Sequence, residues 1–106
     1  MTKVKICGIT SLEDALLSLR LGADALGFNF YEKSPRYFPP QEALQVMNEL
    51  PKETVRVGVF VNMERSTIGE LVDLLELTAI QLHGDEDSGV VKDLKHETGA
   101  KVIKAF

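Results

Sequence analysis

The sequence predicts an α/β fold built on a parallel sheet. Short apolar runs of strand length alternate with amphipathic runs of helix length, and that order makes parallel strands joined by right-handed crossovers. The alternation repeats at about 25 residues per unit, the spacing of a (β/α)8 TIM barrel with its eight units in about 250 residues. The strand runs carry bulky apolar groups on one side only, which suits a single layer of helices rather than two. The 106 residues therefore read as one half-barrel domain, 1–106: about the first four βα units plus the fifth strand.

The elements follow in order. Val4 to Ile9 is the first strand, and Ser11-Leu12-Glu13-Asp14 is a capping-box-like helix start. The helix after it shows Leu12, Ala15, Leu16 and Leu19 and stops at Gly22. Ala25 to Phe30 is a second strand. Pro39-Pro40 opens a second helix, where proline suits the first turn, and that helix ends before Pro51. Val55 to Asn62 alternates as a third strand. Thr67 and Glu70 are read as the cap of a third helix with apolar face Ile68, Leu71, Val72 and Leu75. Ala79 to His83 is a fourth strand, Asp85 to Glu97 a fourth helix and Lys101 to Phe106 a fifth strand.

Composition narrows the function. Hydrophobic residues make up 44% and charged residues 26%, an ordinary globular balance. Net charge is -4 with both signs interspersed, against a nucleic-acid surface. No apolar run approaches the roughly 20 residues of a membrane span, and no signal-peptide pattern opens the sequence. One cysteine excludes an internal disulfide framework, so a cytoplasmic location is the expectation. The two histidines and the cysteine are too scattered for a zinc site.

The strand faces point to a site. Val4 and Ile6 oppose Lys5 and Cys7, while Leu26, Phe28 and Phe30 oppose Ala25, Gly27 and Asn29. In the third strand Val57, Val59 and Val61 oppose Arg56, Gly58, Phe60 and Asn62, and in the fourth Ile80 and Leu82 oppose Gln81 and His83. The small or polar face should line the interior. It places Cys7, Asn29, Asn62 and His83 near the carboxyl ends, where barrel chemistry collects. A lone cysteine is usually a small buried hydrophobe. Cys7 differs by its place on the polar face, near a strand end, beside Lys5; an ammonium there would favour the thiolate, or Lys5 would pair with an acid of the wall. Arg36, in the long connection after the second strand, is either an exposed loop residue or a guanidinium fork over the mouth for a carboxylate or phosphate. His83 is a proton carrier or a hydrogen-bonded rim histidine, and Asp85 and Glu86 read as helix-start acids.

The segments KICGIT, GADALGFNF, KSPRYF, VGVFVN, IQLHGDE and VIKAF resemble, in that order, the phosphoribosylanthranilate isomerases of tryptophan biosynthesis. The resemblance implies an Amadori rearrangement of N-(5-phosphoribosyl)anthranilate to the corresponding 1-deoxyribulose phosphate, without a cofactor or metal. Cys7 matches the general base and Arg36 the residue that holds the anthranilate carboxylate; Gln81 and His83 are further substrate-contact candidates. The family's acid, an aspartate on a later strand, and its glycine-rich phosphate loops fall after the fifth strand. No residue here takes those roles, and these residues alone are expected to be inactive. Two alternatives remain: a small five-stranded flavodoxin-like binding domain, and a non-catalytic half-barrel that self-associates or binds a complementary C-terminal half.

Overall fold

In the computed structural model, residues 4–84, 86 and 88–104 are described, with Ser88 as backbone only. Five strands, β1 (Lys5–Ile6), β2 (Ala25–Asn29), β3 (Val55–Phe60), β4 (Ala79–Leu82) and β5 (Lys101–Lys104), alternate with four helices. These are α1 (Leu12–Arg20), α2 (Pro40–Glu49), α3 (Arg65–Leu75) and α4 (Ser88–Thr98). All pairings are parallel and the spatial order is β1-β2-β3-β4-β5. A flavodoxin-like sheet would be ordered 2-1-3-4-5, so that alternative is excluded. Asp85 and Asp87, at the expected start of the fourth helix, and Ala105 and Phe106, at the expected end of the fifth strand, lie outside the described residues.

Local chemistry explains most boundaries. Ser11 Oγ accepts the Asp14 N–H at 3.0 Å, the first half of the expected capping box. The α1 end closes with Leu21 N–H on Leu17 O at 3.0 Å and Ala23 N–H on Ser18 O at 3.0 Å. Pro39 and Pro40 stand at the N-cap and first position of α2. The third helix differs from expectation. It starts at Arg65 behind Glu64, which makes no side-chain cap, so Thr67 and Glu70 lie inside it. Its face of Ile68, Leu71, Val72 and Leu75 is buried as read.

Register fixes the two faces of the sheet, because paired residues on neighbouring strands point the same way. Leu26 pairs with Arg56, and Phe28 with Gly58, Ile80 and Val102. These face the helices, where Leu26, Phe28, Ile80 and Val102 form the core with Phe30, Phe60, Ile68, Leu75 and Leu94. The opposite face carries the rows Lys5, Ala25 and Val55; Gly27, Val57, Ala79 and Lys101; and Asn29, Val59, Gln81 and Ile103. β3 is thus turned over relative to the sequence reading: its valines line the interior, and Arg56, Gly58 and Phe60 face the helices. Phe60 stacks on Phe30 with centroids 5.4 Å apart, and this ring pair outweighs the smaller valines in deciding the face.

Arg56 is 3% exposed. It spends its charge on the amino end of the sheet, donating to Met47 O and Pro51 O, both at 3.4 Å, and reaching Glu76 at 3.5 Å. A guanidinium there sits against the negative end of α2. In barrels that end serves stability, while chemistry belongs to the other end.

Candidate active site

At the carboxyl end of β1 the chain leaves the strand through Cys7 and Gly8. Ile9 N–H donates to Gly27 O at 3.1 Å, so residues 7 to 9 still run beside β2. Extending the register sets Cys7 next to Gly27. The contact is close: a Cβ on Gly27 would stand 2.8 Å from the Cys7 sulfur. Cys7 is a free, exposed thiol.

Arg36 arrives from the β2–α2 connection, which is built rather than loose. Asn29 Oδ1 accepts Tyr31 N–H at 2.9 Å, and Ser34 N–H donates to Tyr31 O at 2.9 Å. Ser34 Oγ accepts Arg36 N–H at 3.1 Å, and Phe38 N–H closes on Asn29 O at 2.9 Å. This fold of the loop lays the aliphatic stem of Arg36 on Gly8. Gly8 has φ +80, and a Cβ there would meet Arg36 Cγ at 3.4 Å. Only glycine combines that backbone with an open surface for the stem. The thiol and the arginine, 29 positions apart in sequence, therefore occupy adjacent places at the mouth.

The other candidates lie along the same face. The Lys5 ammonium donates to Gln81 Oε1 across the interior. Its partner is an amide oxygen, where the sequence left open an acid of the wall or the thiolate. His83 is exposed, and its N–H continues the ladder to Phe60 O at 2.9 Å, so alternation gives it the face of Gln81. Asn29 sits at the end of β2 with its side-chain oxygen committed to its own loop. The groove between the start of α1 and α2, lined by Thr10, Leu12, Phe38 and Val46, lies on the helix side, away from these groups.

Sequence reasoning missed Glu86. It was expected to be a helix-start acid; instead its side chain is 4% exposed. One carboxylate oxygen accepts Asn62 N–H at 2.6 Å, and the other accepts Gly84 N–H at 2.8 Å and the Lys104 ammonium at 3.0 Å. Lys104 also donates to Gly84 O. Burial works against the charged form, but these hydrogen bonds, with one from its own backbone N–H, outweigh it and hold the carboxyl below its ordinary range. The result is a clasp joining the exits of β3, β4 and β5. Its only sequence signal is an acid two residues after Gly84 and a lysine at the same end of the next strand.

An in-order parallel sheet backed by one layer of helices, with polar groups gathered at its carboxyl ends, is part of a (β/α)8 barrel. The family profile described as N-(5'phosphoribosyl)anthranilate (PRA) isomerase matches residues 4–106, and the chain belongs to that family. It is 48% identical over 106 residues to the N-(5'-phosphoribosyl)anthranilate isomerase of Citrifermentans bemidjiense, covering 100% of this chain and 50% of that protein. The crystal structure of phosphoribosyl anthranilate isomerase from Thermotoga maritima superposes with a TM-score of 0.93 at 48% identity, over 98% of this chain and 50% of that one. A second crystal structure of such an isomerase, in complex with reduced 1-(o-carboxyphenylamino)-1-deoxyribulose 5-phosphate, gives 0.93 and 48% over 98% of this chain and 53% of that one. The chain thus spans about half the length of the relatives it matches. Among the described residues, no helix is long and apolar enough to cross a membrane.

Proposed function

We propose that this chain supplies the N-terminal half of a cytoplasmic, cofactor-independent phosphoribosylanthranilate isomerase, with Cys7 as general base and Arg36 as the carboxylate clamp. The observation that supports it best is the adjacent placing of the two groups at the mouth, in a chain of this family. In the reaction an acid protonates the ribose ring oxygen as the C1–O bond breaks, leaving a Schiff base between C1 and the anthranilate nitrogen. The Cys7 sulfur then takes the C2 proton, and the electron pair forms the C1=C2 bond of an enolamine. Tautomerisation delivers a proton to C1 and makes C2 the ketone. The planar fork of Arg36 suits a bidentate grip on the aromatic carboxylate. On this reading the acid and the phosphate anchor come from the other half.

The test is turnover of freshly generated phosphoribosylanthranilate by the 106-residue chain alone and joined to the C-terminal half of a family member. The joined protein should turn over and the chain alone should not. Robust turnover by the chain alone would overturn the division of the site between halves.

A further inference from the structure

Gly27 lies inside β2, where a side chain would ordinarily strengthen the strand. Its φ is not positive, so the backbone does not ask for glycine. Its row continues in Val57, Ala79 and Lys101, all with side chains. What leaves no room at position 27 is Cys7. An added Cβ would stand 2.8 Å from Sγ, 3.2 Å from Cα and 3.4 Å from Cβ of that residue, where non-bonded atoms settle at about 3.5–4.0 Å.

We infer that Gly27 is a positioning residue for the proposed reaction: its bare Cα is the seat on which the Cys7 thiol rests, and it fixes the sulfur sideways against β2 while Arg36 is set independently on Gly8. The inference rests on the isomerase reading and adds to it the group that aims the base. A methyl at 27 must push the sulfur away by several tenths of an ångström. Proton transfer is sensitive to such a shift, because misplacement by about 1 Å costs on the order of 10²-fold in rate. The Arg36 stem lies against Gly8, and the nearest atoms to an added Cβ at 27 all belong to Cys7, so substrate binding through the guanidinium should survive.

Two measurements test it. In the 106-residue chain, melting temperatures are compared for Gly27→Ala, Cys7→Ala and the double variant, with Gly69→Ala as control because nothing lies within 4 Å of an added Cβ there. Gly27→Ala should lower the melting temperature, and the loss should be smaller by about 4 °C or more when position 7 is alanine. In the joined protein, Gly27→Ala should lower kcat by about 10-fold or more with KM within about twofold, a split that general destabilisation does not produce. Equal melting losses in both backgrounds would mean that the glycine only spaces two backbones, and would overturn the seat. An unchanged kcat, or a kcat loss mirrored in KM, would overturn the positioning role. If Gly27→Ala does not fold, the double variant must; failure of both overturns the inference. A joined protein without turnover, or one indifferent to Cys7→Ala, would instead sink the isomerase reading, and the melting comparison would still decide whether Gly27 seats the thiol.

Discussion

Cys7 and Arg36 reach one spot by different routes, one on the exit of a strand and the other on a stapled loop, and each rests on a glycine. This separation lets their roles be probed one at a time. In the joined protein Cys7→Ala should lower kcat by about 10²–10⁴-fold, the usual worth of a general base, with little change in melting temperature because the thiol is exposed. Near-normal turnover with a lowered melting temperature would assign Cys7 to structure. Arg36→Lys keeps the charge but loses the fork, and should raise KM by about 10-fold or more. A substrate analogue lacking the carboxylate should bind the wild type as poorly as the variant does, and the two losses should not add. Simple additivity would show that Arg36 holds some other group.

Between elements, two charged groups hold the ends of the sheet, and they do opposite work. Arg56 ties the amino end to carbonyls in and just beyond the last turn of α2, whereas Glu86 ties the carboxyl exits of β3, β4 and β5. Both oxygens of Glu86 accept from N–H groups, so Glu86→Gln sets an amide N–H against another N–H and should cost about 1–3 kcal/mol in urea unfolding. Because the folded-state carboxyl titrates below its ordinary value, its contribution is complete above the unfolded value. It is lost as pH falls through that value and then through the lower folded one. Glu86→Gln should therefore flatten the acid limb of stability against pH; an unchanged limb would show that other carboxylates govern it. The alternation of strands and helices, the proline start of α2 and the face of α3 were legible in sequence because each is local. The face of β3 was not, since three valines and one phenylalanine compete and the Phe30 ring beyond the neighbouring strand decides. The clasp was hidden for the same reason: a buried acid looks like a surface one until the lysine of the next strand is brought to it. Cys7 and Arg36 were legible as candidates, but their meeting depends on two glycines that periodicity treats as blanks.

Over the whole molecule, the sheet has two flanks with no partner strand among the described residues, one on β1 and one on β5. Val4 and Ile6 at the first are 46% and 38% exposed, and Ile103 at the second is 39% exposed. Leu17 on α1 and Leu21 at its C-cap are 47% and 78% exposed. Unpaired strand flanks beside apolar groups invite association. The 106-residue chain should show a mass that rises with concentration in sedimentation. Ile6→Lys should bring it toward the monomer, because a charge on an edge strand blocks pairing. A concentration-independent monomer would show the flanks to be harmless. The strand order has a consequence of another kind. Each strand lies beside the one made just before it, so every pairing joins neighbours in time as well as in space, and closure costs only the loop of one intervening helix. A chain emerging from the ribosome can lay down β2 on β1, β3 on β2, and so on, with each new unit covering the raw flank of the last. The flank of β1 is the exception: in a closed barrel it would wait for the final strand and stay open longer than any other.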